Sequence, residues 1–490
     1  RQMCIRDRHA DPPQSFEKTP EVTFDDIVVG TGTVCVSNIF GDSEAFEFPI
    51  VIVLAPEIVS ISPTEGDAGA EVTFSADVRG SEPFAYAWDF GGGATPNISS
   101  DESPTVTLGD PGPPYSASLT VTNDFGEDTK DFDLTVHGWV IETVCDSISS
   151  FTSLAFAPDG NPGISYWESL GEEDDPSIIK YVKYDGSEWL EGVELFGPTY
   201  TVDFTSLAYD SDGTAYVAYM MDLPDEVPAL VLAWQDGPDW LHLIIDPNNA
   251  GYCLSMALHP ISEEPSISYL TKESLDTYYL MCARQVDEGW GVGPVGENTE
   301  AMNSVGTSLA FNPETLHPAI SFHRDLTAPA LRCAWNDGTD WHLETVYDGF
   351  GVGHYSCLRF DPDNISCISY HDVWNNDLCY TTRHGGTWDP DPEVVDDGGG
   401  LGDPATGEWT SLAFDGNGKA VISYTGDHAI GALEDWNLKF ARQTGAQPAW
   451  TTETVDSAYK VGKYTSIAIG PYGSIGISYG GDDLRFAQLW

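Results

Sequence analysis

A pattern of about fifty residues recurs seven times between residue 139 and the end of the chain. Each copy opens on a small anchor: Ser153, Ser206, Ser255, Ser308, Cys357, Ser411 and Ser466, at spacings of 53, 49, 53, 49, 54 and 55 residues. Self-similarity at such a period means one supersecondary unit per copy, which buries its faces only against its neighbours. The first part of each copy reads as a hairpin, as in "TSLAFAPDGNPGISY" (152–166), "TSLAFDGNGKAVISY" (410–424) and "TSIAIGPYGSIGISY" (465–479). Alternation predicts two strands, and the Asp/Gly/Asn/Pro cluster between them predicts the turn.

A third strand follows, such as "LRCAW" (331–335) or "LKFAR" (438–442). A Gly-containing turn and a Trp then open a fourth, as in "NDGTDWHLETV" (336–346). The turn tryptophans are Trp189, Trp240, Trp290, Trp341, Trp388 and Trp450, read as packing between units. Four antiparallel strands per copy, without a helical pattern, predict a seven-bladed β-propeller. A β-helical solenoid fits less well, because its repeats are shorter and lack the hairpin and the Trp. The seventh copy stops at "LRFAQLW" (484–490), after its third strand, whereas "GWVIETV" (138–144) reads like the closing strand of a copy and has none before it. The two are expected to pair antiparallel, Val140, Glu142 and Val144 facing Leu484 to Leu489, so that an N-terminal outer strand completes the last blade and leaves no open edge.

Upstream, "YAWDFGGG" (86–93) places Tyr86, Trp88 and Phe90 on one alternating strand before a glycine turn. "SLTVTNDFG" (118–126) adds a hairpin punctuated by Asn123 and Gly126. These motifs resemble the PKD family, although Gly92 stands where that family usually has Asp. The resemblance implies an Ig-like β-sandwich over 56–137, a spacer or adhesion module of secreted and surface proteins, and no chemistry. Residues 9–55 read as the C-terminal part of a second such domain: Val34, Val36, Asn38, Phe40 and Gly41 align with Leu119, Val121, Asn123, Phe125 and Gly126. "MCIRDR" (3–8) resembles a translated sequencing adapter, so residues 1–8 are set aside. The fold class is therefore all-β: part of one PKD-like domain, a complete one, and a propeller over 138–490.

Lys and Arg number 20 against 78 Asp and Glu, a net charge of −58. So acidic a chain repels phosphate backbones and anionic membrane surfaces, which argues against nucleic acid as a partner. No apolar run is long enough for a transmembrane helix, so no membrane insertion is expected. The nine cysteines form no zinc spacing and fall mostly within strand patterns, which suits buried free thiols, with one or two disulfides as an alternative. No enzyme cofactor is implied. Asp210, Asp212, Asp361 and Asp363, in "DSDG" (210–213) and "DPDN" (361–364), are weak Ca²⁺ candidates at turns where Asp is common anyway.

Propeller ligands bind near the axis, on the face where the residues before each anchor and after each second strand converge. Copies four and five stand apart there, with His323, Arg324, His354, Tyr355, His371 and Asp372. Arg359 also replaces an alanine found at 155, 208, 257, 310, 413 and 468. A long cation among methyl groups must reach the channel or pair inside. His323, Arg324, His354, Arg359, His371 and Asp372 are thus candidate ligand-binding residues, expected in one axial cavity. Two functions compete. One is a non-catalytic extracellular or cell-surface protein, PKD spacers presenting a propeller that binds a glycan or protein ligand. The other is a polysaccharide-active enzyme, a lyase on acidic polysaccharide by fold analogy, using His354, Tyr355, His371 and Arg359 for proton transfer and carboxylate neutralisation. A sialidase resemblance is weaker: its turn signature is only echoed in "NDGTDW", and no three inner-strand arginines are visible.

Overall fold

A computed structural model describes residues 53–490 apart from 172–175, 200–203, 224–226, 275–276, 287–288, 297–305, 325–328, 399–405, 428–435, 446–448 and 459, and, before residue 53, five strands. The chain divides into two compact units, 1–140 with Trp490, and 141–489. All its regular structure among the described residues is β.

In the first unit, alternation produces a sandwich. One sheet runs in the order Ile98–Ser99, Ala85–Asp89, Tyr115–Asn123, Gly126–His137, Glu65–Asp67. A second holds Ala94–Thr95, Thr105–Leu108 and Glu71–Thr73. Trp88 and Phe90 are buried as their spacing predicts, stacked at 5.9 Å and joined by Phe74, while Tyr86 is half-buried. The Trp88 indole donates to Asp101 O at 3.0 Å, so its one polar atom is satisfied. Gly91 is required: its φ is +63°, and a Cβ there would lie 2.2 Å from Ser116 O. The hairpin closes at Asn123↔Gly126. Earlier in the chain Asn38 pairs with Gly41 in the same way, between Val29–Asn38 and Phe46–Val51. Gln2–Arg6, expected to be foreign sequence, pairs antiparallel with Val29–Asn38.

Among the described residues, the second unit is a ring of seven antiparallel sheets, six of four strands and one of five, one per sequence copy. Numbered in chain order, their inner strands are Ser149–Phe156, Ser206–Tyr209, Ala250–Leu258, Thr307–Phe311, Val352–Phe360, Thr406–Phe414 and Lys463–Ile469. The second strands, such as Pro162–Ser169 and Ile475–Gly480, are almost wholly buried, because each sheet packs against a neighbour on both faces. The sheet order Trp139–Cys145, Leu484–Leu489, Ile475–Gly480, Lys463–Ile469 places "WVIETV" as the outer strand of the last sheet.

That strand also does what outer strands do elsewhere in the ring. Trp189 donates its indole N–H to Glu142 at 2.9 Å, as Trp388 does to Glu344 and Trp450 to Glu393. The buried tyrosines Tyr269, Tyr424 and Tyr479 donate to the last Asp of the preceding outer strand, Asp246, Asp396 and Asp456, at 2.6–2.7 Å. In the first sheet the corresponding pair is Tyr166 beside Cys145, within one core with Val144 and Trp189.

Candidate functional site

The anchors hold the ring together. Each anchor Oγ accepts a backbone N–H from the next inner strand: Leu207 N on Ser153, Met256 N on Ser206, Leu309 N on Ser255 and Leu358 N on Ser308, all at 3.0–3.1 Å. Ile467 N meets Ser411 likewise, and Leu154 N meets Ser466, which joins the last copy to the first. Cys357 offers only a thiol, 4.0 Å from Leu412 O.

The residue before the anchor ties each sheet to its predecessor. Thr205 donates to Phe151 O and meets Ser165 Oγ at 2.9 Å, and Thr307, Thr465 and Thr152 repeat the pair of contacts. Ser356 and Thr410 keep the hydroxyl contact, to Ser321 and Ser369. Sheet three breaks the rule on both sides at once. Leu254 stands for the Thr and Ala218 for its Ser, and the two pack in one apolar cluster. Replacing both partners avoids an orphaned buried hydroxyl.

One residue further out the inner strand bulges. The register shifts just before the anchor in sheets one, three, five, six and seven. There Phe151, Cys253, Tyr355, Trp409 and Tyr464 take left-handed φ of 47–54°, and Gly306 takes 93°. A bulky side chain in that region is strained by about 1–3 kcal/mol, and bulges of this kind re-aim a side chain. Here Phe151, Tyr355, Trp409 and Tyr464, together with Phe204 of sheet two, line a cavity on the ring axis with room for about 140 Å³. These five rings form an arc, with ring contacts Phe204–Phe151 at 5.1 Å, Phe151–Tyr464 at 4.4 Å, Tyr464–Trp409 at 4.9 Å and Trp409–Tyr355 at 5.2 Å. All five are half-buried. The arc is interrupted at Cys253 and Gly306.

The sequence candidates divide into groups. Tyr355 and Arg359 line the cavity; His323, Arg324, His354, His371 and Asp372 are not among its lining. Arg359 reaches the anchor level, donating from Nη1 to Leu358 O at 2.8 Å and towards Ser308 Oγ at 3.4 Å. The histidines collect where sheets four and five meet. His323 is buried with Nδ1 2.7 Å from Val352 O, its ring 4.4 Å from His354. His354 faces His371 across the strand pair, and His371 stacks on Tyr355 at 6.4 Å.

His371 is 1% exposed, and neither ring nitrogen has a hydrogen-bond partner among the described residues. Burial, then the nearby His354, pushes its pKa down to about 3, so it stays neutral. Burial first, then Glu408, raises the Tyr355 hydroxyl above its usual range. Arg324 and Asp372 end the second strands of sheets four and five, both buried. Asp372 accepts from Trp374 N, Asn375 N and Asn375 Nδ2, so its carboxylate closes a turn.

The acidic turns also bond to themselves. Asp210 accepts from Thr214 N at 2.8 Å, and Asp361 accepts from Asp363 N and Ile365 N. Asp212 and Asp363 are exposed on those turns. Among the described residues no group of three or more His, Cys, Asp or Glu side chains could hold a metal ion. Seven cysteines, Cys145 through Cys379, are free, and six of them are buried. No helix of the described residues is long and apolar enough to cross a membrane.

The sequence reading passed over the aromatic arc. Its signal is present all the same: five of the seven positions two before the anchor are Phe, Tyr or Trp.

Residues 58–136 match the family model of the PKD domain. That segment is a PKD domain. No curated protein is similar to the chain. Beyond the PKD domain, solved structures of low similarity include a sialidase from Streptococcus pneumoniae, 11% identical over 95% of this chain and 90% of that one, TM-score 0.40. An α-L-arabinanase from Penicillium chrysogenum complexed with arabinobiose is 12% identical over 71% and 97%, TM-score 0.40. A Bacteroides thetaiotaomicron protein of unknown function is 12% identical over 89% and 98%, TM-score 0.37. Likeness this low carries nothing about the site.

Proposed function

We propose that this is a non-catalytic extracellular carbohydrate-binding protein, in which PKD modules present a ring that takes a saccharide at its axial cavity. The aromatic arc carries the reading. Five half-buried rings crowd one cavity, four of them on strained backbone, and such strain at a cavity is a mark of a functional constraint. Aromatic faces above hydroxyl groups suit a sugar, which has apolar C–H faces and polar edges. The enzymatic alternative is less well supported. His371 stays neutral behind Tyr355, away from the cavity, and a proton-transfer base must come within reach of its substrate.

Titration calorimetry of the full chain against neutral and uronate-containing oligosaccharides tests the reading. Binding at micromolar to millimolar Kd is expected, weakened tenfold or more by Trp409→Ala or Tyr464→Ala. Absence of binding to any saccharide, or binding indifferent to both substitutions, overturns it. Incubation with uronate polysaccharides, followed by absorbance of new unsaturated ends, gives the other arm: turnover would replace this reading with the lyase.

A further inference from the structure

We propose that the axial cavity is a seat for the acid group, carboxylate or sulfate, of a charged sugar. This rests on the saccharide reading above and names the class of ligand.

Several groups of the cavity lining are donors with hydrogen atoms left over. The oxygens of Ser153, Ser206, Ser411 and Ser466 each accept one backbone N–H. Their hydroxyl hydrogens have no acceptor among the described residues. A serine hydroxyl has one hydrogen to give, so each still has it. Arg359 uses only Nη1, on Leu358 O and Ser308 Oγ. Its Nε and Nη2 have no acceptor, and no carboxylate pairs with it, among the described residues.

The absence of acid is the second observation. The chain carries 78 Asp and Glu against 20 Lys and Arg, yet among the described residues no carboxylate side chain lines the cavity. A half-buried guanidinium without a counter-ion is costly unless water or an anion faces it. Neutral sugar hydroxyls bring both donors and acceptors. An acid group brings acceptors alone, matching the spare hydrogens of Arg359 and these serines, and charge-assisted bonds to Arg are the stronger kind. The neighbouring histidines do not compete for this role, since His371 is neutral and none of the three lines the cavity. The net charge of −58 repels anions at long range. Salt screens that field beyond about 8 Å, so recognition falls to the local donors.

The test compares trigalacturonic acid, its fully methyl-esterified form, and a galactose trisaccharide bearing sulfate esters, by calorimetry on the full chain. Trigalacturonate is expected to bind at least tenfold tighter than its ester. Arg359→Gln should abolish that preference, and Arg359→Lys should retain part of it. Melting curves check that both variants fold, and the wild-type comparison of acid with ester stands even if neither does. Tighter binding of the sulfated sugar would assign sulfate as the anion, and of trigalacturonate carboxylate. Equal binding of acid and ester, or a preference that survives Arg359→Gln, overturns the anion seat while leaving the saccharide reading standing. Failure of all three sugars to bind overturns both.

Discussion

At the residue scale, the hydroxyl before each anchor is a structural tie, and its one double exception is informative. Ala218 and Leu254 replace a Ser and a Thr that would have met each other. In a double-mutant cycle, Ala218→Ser and Leu254→Thr are each expected to destabilise. Together they should recover about 0.5–1 kcal/mol of coupling, read from urea midpoints; additive effects would show that the hydroxyls do not pair. His371 makes a second residue-scale prediction. Its pKa is about 3 in the folded chain, against about 6.5 unfolded. The unfolded chain therefore binds the extra proton between those values. Stability is full above pH 6.5 and falls as the pH drops below it, by about 1.4 kcal/mol per pH unit at the steepest. His371→Phe should flatten that slope in pH-dependent denaturation curves. Arg359 was legible from sequence because six sister copies have Ala at its position. The histidine cluster was legible as a set, but its burial was not. Whether a residue faces the axis or the next sheet depends on the bulge before the anchor, and a bulge leaves no mark on the alternation.

At the element scale, the strand Trp139–Cys145 belongs to the last sheet by sequence and by contacts: Glu142 receives Trp189 and Cys145 lies beside Tyr166. "ETV" could be recognised because the same letters close other copies. A chain beginning at residue 147 would leave Leu484–Leu489 as an unpaired edge. It is expected to melt several degrees lower and to aggregate on heating, by calorimetry and light scattering. A peptide of residues 138–146 added in excess should restore part of the loss. An unchanged melting temperature would mean that the strand adds nothing to the sheet. The four Asp candidates for Ca²⁺ lie on first-hairpin turns, and there too the element decides: the Asp210 and Asp361 carboxylates are occupied by their own turn backbone.

At the scale of the whole molecule, a charge of −58 pushes the folded chain apart. Raising NaCl from 0.01 to 0.5 M shortens the screening length from about 30 Å to well under 10 Å. The melting temperature should therefore rise by several degrees; a fall would mean that attractive ion pairs, such as Lys180–Glu168, outweigh the repulsion. The ring itself was legible from the period, and the axial chemistry only in part, since a cavity is a property of seven strands and no single copy contains it. The hydrogen bond from Leu154 N to Ser466 Oγ, with the outer strand at 139–145, also sets an order of events. A chain made from its N-terminus emerges with this strand more than three hundred residues ahead of its partner. The strand must wait, unpaired, until Leu484–Leu489 leave the ribosome. Closure is then a late, high-contact-order step, and the interval before it is when this protein most needs a chaperone.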